Sequence, residues 1–374
     1  MQLIRYQAVE ASEKQFAQAV RRNVNAYFKD QGISPKGDHR LAVKTVVMLA
    51  LYFIPFILLL ALPITGWWAL LTAVVMGVGL AGIGMGVMHD GVHGSASHKG
   101  WVNRLLGGTM YILGGSAYTW KVQHNMAHHT HTNVSEVDGD IASRGPLRFC
   151  EHAPLKPVHR TQFIHAFFFY GLMTFTKVFN DFGKLADANR SGVTKSLGKD
   201  PRRLFIELVF AKAFYFGMIF GLPLWLTPLT WWQVFIGFFV MHFVAGLILG
   251  VVFQLAHVVE DVVQPLPDAE GIIHTDWVVH EMRTTANFAP GNALLTWYTG
   301  GLNHQVEHHL FPHICHVHYG AIAPIVERTA REHGVPYVSY PTFFGALASH
   351  IRRLKDLGDP KGVPQRLAGQ VQAA

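Results

Sequence analysis

Two long stretches of this chain carry no formal charge. Residues 45–88 and 213–259 contain no Lys, Arg, Asp or Glu, although the 374-residue chain has a net charge of +7. Each stretch is about 45 residues long, room for two helices of roughly 20 residues crossing a bilayer. Hydrocarbon offers the backbone no water, so each stretch is expected to close into a helical hairpin. The turns are legible as Leu62-Pro63-Ile64-Thr65-Gly66 and Leu226-Thr227-Pro228-Leu229-Thr230, each followed by a tryptophan pair, Trp67-Trp68 and Trp231-Trp232. Tryptophans beside a polar turn suit the water-lipid boundary. The expected fold is an all-α integral membrane protein with four transmembrane helices in two hairpins, spanning about 45–64, 67–88, 204–226 and 231–256.

Charge placement sets the orientation. Neither turn carries Lys or Arg, so every basic residue falls on the other side, which the positive-inside tendency makes cytoplasmic, both termini included. This topology accounts for the excess positive charge without a nucleic-acid partner, because the basic residues are not interleaved as a base-stacking surface requires. No signal peptide is apparent, since the first apolar run starts near residue 45, after a charged amphipathic segment. The division expected is a cytoplasmic amphipathic segment over 1–40, a membrane domain over 41–358 and a flexible tail over 359–374. Two further apolar segments, residues 101–119 and 163–176, fall short of a span of about 20 residues and are expected to lie at the interface. Cys150 and Cys315, far apart in the chain, read as free thiols.

Histidines gather in short groups. His89-Asp90-Gly91-Val92-His93 closes the second expected span, and its spacing puts both imidazoles on one helical face. His124-Asn125-Met126-Ala127-His128-His129 repeats that geometry, Gln305-Val306-Glu307-His308-His309 uses spacings of three and four, and the fourth span ends at His257. By the topology above, all four positions emerge on the same membrane face. Clustered neutral imidazoles with almost no cysteine favour iron or zinc over soft thiolate sites. Eight histidines exceed the roughly four ligands of a structural zinc site, so two metal ions are the economical reading.

Other residues take plainer readings. His242 lies mid-span, roughly 22 Å along the helix from His257, and is expected to be no ligand. His313, His316 and His318 follow the third group as hydrogen-bonding or exposed side chains. Asp90, Glu260 and Glu307 adjoin candidate ligands and are candidates to orient imidazoles through their ring nitrogens. The glycines of the second span, among them Gly79 and Gly82, are expected to let helices pack closely.

Taken in order around two hydrophobic hairpins, His-x3-His, His-x3-His-His and Gln-x2-His-His resemble the histidine boxes of the integral-membrane fatty acid desaturases. The resemblance extends to Gly300-Gly301-Leu302-Asn303, Leu310-Phe311-Pro312, and Thr132-Asn133 followed by Asp138 and Asp140. It implies a cytoplasmic helical cap carrying a di-iron site, with His89, His93, His124, His128, His129, His257, His308 and His309 as ligands. Gln305 takes a place that is histidine in stearoyl-type members, which resembles the front-end desaturases, enzymes that act between an existing double bond and the carboxyl end. His304 stands where an aromatic residue is expected and is a further candidate beside the ligands. No His-Pro-Gly-Gly, the mark of the haem domain fused to many front-end relatives, occurs in the sequence. The resemblance therefore implies a separate electron donor, a ferredoxin or a small haem carrier, together with dioxygen as co-substrate.

It also implies a fatty acyl substrate carried by coenzyme A, carrier protein or lipid, and a multi-pass protein of a bacterial inner membrane rather than the endoplasmic reticulum. A sibling hydroxylase or acetylenase would share the same irons. A zinc transporter or sensor is the remaining alternative, disfavoured because transporter ligands sit near the bilayer midplane and these sit at span ends.

Overall fold

The computed structural model describes residues 4–143 and 145–363, so most of the expected tail, from residue 364 onward, lies outside the described residues. Among the described residues, four helices are long and apolar enough to cross a membrane: His39–Ala61, Gly66–His93, Pro201–Leu226 and Trp231–His257. They overlap the four expected spans, and the first and third begin a few residues earlier, at polar caps outside the apolar run. Asp38 accepts from the Arg40 backbone N–H at 2.8 Å, and Asp200 does the same for Arg202 at 2.8 Å. Pro201 follows at the first helical position, where its missing N–H leaves no bond unmade. The described residues are otherwise mostly helical, with long connecting loops. The β structure among the described residues is two short parallel pairings, Arg5–Tyr6 with Ile272–Ile273 and Asn287–Phe288 with Ser339–Tyr340.

Contacts divide the chain into two compact units. One comprises residues 37–122 and 168–251, and so contains most of the spanning helices. Within it the second span packs directly on backbone. A Cβ on Gly79 would stand 2.7 Å from the Tyr52 nitrogen, and one on Gly77 would stand 2.6 Å from the Met241 carbonyl oxygen. The glycines thus do what the sequence led one to expect. Gly79→Val is expected to destabilise the protein by about 1–3 kcal/mol through overpacking, read as a lower melting temperature in detergent.

Of the two apolar segments expected at the interface, the second, residues 163–176, packs in part against a spanning helix. Over residues 168–179 it runs alongside the middle of Trp231–His257. Thr174 Oγ1 donates to the His242 carbonyl at 2.8 Å, and the Phe175 and Phe238 rings lie 5.7 Å apart. The reason is a slot in the fourth span: a Cβ on Gly250 would meet the Tyr170 side chain, and one on Gly246 the Gly171 carbonyl. Irregular backbone is tolerated at such depth only where protein groups satisfy it. Lys212 does so, its Nζ standing 3.2 Å from the Lys177 carbonyl and 2.6 Å from that of Gly114. His242 is held by the Tyr215 hydroxyl and by Thr174, in keeping with a structural role.

The other unit comprises the residues up to Lys36, Gln123–Phe167 and the chain from Val252. Its core uses one face of the Ala11–Gln31 helix, where Phe16, Val20, Val24 and Phe28 recur every four residues. They pack with Val306 and Leu310 of the Gln305–Leu310 helix and with Ile322 and Val326 of the Tyr319–Glu332 helix. The N-terminal amphipathic segment is therefore core to the unit that carries the third box.

Candidate metal centre

The second box sits where a helix widens. Ala117–Lys121 continues as a π-helical winding over Val122–His128, and the His129 backbone N–H bonds to the His124 carbonyl, five residues back, at 3.0 Å. In so wide a turn, residues four and five ahead both come round to the starting residue. His128 and His129 thus flank His124, with ring centroids 5.2 and 4.7 Å from it. Ordinary α spacing would bring only His128 back beside His124.

The third box rides on Gln305–Leu310, entered through Gly300 and Gly301, both at positive φ (65° and 68°). At Gly301 a Cβ would also press on Tyr319 and His316, so the approach is open only to glycine. His309 stands 4.3 Å from His129 and 4.9 Å from His128, while His308 is 4.5 Å from His129, all between ring centroids. His257, at the end of the fourth span, lies 4.7 Å from His128 and 4.9 Å from His309. The Gln305 carboxamide nitrogen is 3.1 Å from His257 Nε2.

Two triads follow, His128 with His257 and His309, and His129 with His308 and His309; within each, one ring nitrogen per residue lies within 4.8 Å of the others. His309 belongs to both. His124, His128 and Asp140 form a third such group.

Groups behind the imidazoles orient them. His128 Nδ1 is 2.9 Å from Asp138 Oδ2, His309 Nδ1 is 2.8 Å from Glu281 Oε2, and His308 Nδ1 is 3.1 Å from the Tyr319 hydroxyl. A carboxylate on Nδ1 keeps the proton there and leaves the lone pair on Nε2, the arrangement common behind metal-bound histidines. The Nε2 atoms of His128, His308 and His309 are all buried. Burial raises the Asp138 carboxyl, but the neighbouring His128 and two backbone N–H bonds outweigh it and hold the group below the usual range. Burial pushes Glu281 well above the usual range, and Asp138 adds to the shift. A cation among the imidazoles would favour the ionised form of both.

Asn133, at φ 59°, fastens the loop after the second box to the end of the fourth span. Its amide nitrogen lies 3.0 Å from the His257 carbonyl and 3.1 Å from that of Thr284, and its backbone N–H donates to Asp138 at 2.9 Å. Carboxylate-oriented imidazoles without thiolate suit a borderline first-row metal such as iron.

His89 and His93 belong to the unit that holds the spans. They share one face at the end of Gly66–His93, as their spacing predicts, with ring centroids 4.6 Å apart.

A family model described as fatty acid desaturase matches residues 65–341. The chain belongs to the fatty acid desaturase family. It is 34% identical over 351 residues to an sn-1 linoleoyl-lipid 6-desaturase of Arthrospira platensis, covering 91% of this chain and 92% of that one. A Synechocystis protein of the same description is 33% identical, covering 92% and 95%. An acyl-lipid (8-3)-desaturase of Physcomitrium patens is 33% identical, covering 93% of this chain and 73% of its own. The protein is thus an oxidoreductase, a fatty acyl desaturase with membrane-capable helices, and its family implies an iron centre.

In this desaturase two of the acidic residues expected beside the ligands, Glu260 and Glu307, bond to groups other than the candidate ligands. Glu260 makes a two-pronged ion pair with Arg352 at 2.8 and 3.0 Å. Glu307 accepts from Asn287 at 2.8 Å and from the Tyr337 hydroxyl at 2.9 Å, with burial raising its carboxyl to about 7. His304 is buried, its Nδ1 3.8 Å from Glu307. Asp90 is also buried, and its carbonyl accepts from the Ser95 backbone N–H at 3.0 Å. Orientation of the second and third boxes falls instead to Asp138, already conspicuous in the motif that follows the second box, and to Glu281, which the sequence reading missed. Its one sign was a carboxylate among the buried apolar residues Val278, Val279 and Met282 of the Trp277–Thr284 helix.

Proposed function

We propose that this desaturase holds two iron ions through His89, His93, His124, His128, His129, His257, His308 and His309, with Gln305 at or beside one of them. The observation that carries this reading is the buried cluster of five imidazoles, His128, His129, His257, His308 and His309, more than one ion needs, backed by Asp138 and Glu281. Bound iron would supply, with dioxygen, the oxidising power to remove hydrogen from an unactivated methylene. The chain's own residues do the rest: Asp138, Glu281 and Tyr319 hold imidazoles in one orientation, and the surrounding burial keeps water from the donors. A carboxamide is a weaker donor than imidazole, so Gln305 would hold an iron less firmly than a histidine in its place.

The reaction we infer is of the front-end type, on an acyl chain of a membrane lipid. Gln305 supports the first part, and the linoleoyl-lipid 6-desaturase and acyl-lipid (8-3)-desaturase relatives support both. Burial worth about 0.8 kcal/mol per methylene suffices to hold a long chain in register. Residues 41–358 act as the catalytic body. The even number of spans and the uncharged turns favour both termini in the cytoplasm of a bacterial inner membrane, where a separate ferredoxin or small haem carrier delivers electrons. The test is expression in a host of known lipid composition, with mass spectrometry locating any new double bond and metal analysis of the purified protein. The expected result is a double bond on the carboxyl side of an existing one in lipid-linked chains, with iron bound. A hydroxylated product, or a new bond on the methyl side, would overturn the assignment.

A further inference from the structure

Lys212 lies midway along Pro201–Leu226, where a charge is costly unless paired. It forms a buried ion pair with Asp181, Nζ to Oδ2 at 2.7 Å. Such a pair contributes little stability of its own, because desolvation offsets most of the attraction. Its consequence lies with the other carboxylate oxygen. Asp181 Oδ1 accepts from Thr119 Oγ1 at 2.7 Å, and both residues are buried. Thr119 belongs to the short Ala117–Lys121 helix, too brief to hold itself without tertiary contacts. The next residue, Trp120, sets its indole edge-on to both imidazoles of the first box, 5.6 Å from His89 at 74° and 6.0 Å from His93 at 85°. Edge-to-face contacts of this kind constrain ring planes.

We propose that the Lys212–Asp181 pair is a positioning device for the first histidine box, acting through Thr119 and Trp120 on the orientation of His89 and His93. The inference rests on the reading of those two histidines as iron ligands. Lys212 is itself held by the Gly114 and Lys177 carbonyls and fixes Asp181; Asp181 fixes the Thr119 hydroxyl; the indole one residue on is thereby kept against the imidazoles. None of the three touches substrate.

The test uses the purified full-length protein. Thr119→Val keeps size and shape and removes the hydroxyl, with its short hydrogen bond to Asp181 at 2.7 Å and its longer one to the Ser116 carbonyl at 3.2 Å. Metal-depleted protein is titrated with ferrous iron against a competing chelator, alongside thermal unfolding, kcat and KM. Iron affinity is expected to fall about tenfold, within the range seen when groups behind metal ligands are removed, and kcat to fall with KM unchanged. The melting temperature should stay near wild type. Trp120→Phe retains an aromatic edge and should bind iron like wild type, whereas Trp120→Ala should reproduce the Thr119→Val loss. The double variant Thr119→Val with Trp120→Ala should be no worse than either alone, because both break one chain of contacts. Asp181→Asn, which keeps an acceptor for Thr119 and loses the charge facing Lys212, should move iron affinity in the same direction by less. Wild-type iron affinity and kcat in Thr119→Val, or losses that simply add in the double variant, would overturn the proposal. If His89→Ala loses iron while Thr119→Val does not, this inference alone fails; if His89→Ala binds iron normally, the ligand assignment fails with it.

Discussion

His309→Ala is expected to abolish desaturation, lowering product formation by about a thousandfold or more, as loss of a member of a catalytic unit does. The reason is position. His309 is the one imidazole common to both buried triads, and with Nδ1 taken by Glu281 its Nε2 would be the donor at the centre of the cluster, to whichever ion it holds. Its neighbours cannot replace it, because His128 and His308 are tied through Nδ1 to Asp138 and Tyr319. Metal analysis should show iron content falling together with activity. His242→Ala is the control: that imidazole is equally buried, bonded to Tyr215 and Thr174, and its loss should lower the melting temperature while leaving iron content unchanged. Full iron content and activity in His309→Ala would remove the basis of the di-metal reading.

Glu281→Gln should weaken iron binding by about 10–100-fold with little change in fold. Glutamine keeps the shape and an acceptor for the Thr132 hydroxyl, which bonds Glu281 at 2.8 Å, and loses only the charge that steadies the His309 Nδ1 proton. Glu260→Gln makes the contrast, since its carboxylate pairs with a largely exposed Arg352. Such surface pairs contribute roughly 0–1 kcal/mol, and iron affinity should not move. The two carboxylates adjoin histidines in comparable ways in the sequence, one beside His280 and the other three residues after His257, so the comparison isolates what the fold adds. Equal effects of the two substitutions would show that the Glu281–His309 contact contributes nothing to metal binding.

The spans, their turns and the histidine boxes were legible because each follows from a local rule: uncharged length for the helices, Trp-flanked polar turns for the hairpins, i, i+4 spacing for the His89–His93 pair. Gly77 and Gly79 could be read as packing residues for the same reason, since a close helix approach requires a missing side chain whatever the partner. The segment expected at the interface, residues 163–176, was not legible as a packing partner of the fourth span, which its part from residue 168 onward proves to be. Its own composition cannot reveal a slot made by Gly246 and Gly250 some seventy residues later, nor a lysine on a different helix that satisfies its backbone.

What the amino-acid order determined alone was the membrane class, the four spans and the identity of the imidazoles, because hydropathy and helical periodicity act over a few neighbouring residues. Only the tertiary structure decided that a π turn brings His128 and His129 both to His124, that His309 lies among the imidazoles of the second box and His257, and that Glu281 rather than Glu260 steadies an imidazole. The last two outcomes depend on hydrogen bonds and ring contacts between residues dozens to more than a hundred positions apart, and no local pattern encodes which of several plausible partners the packed chain brings within 3 Å.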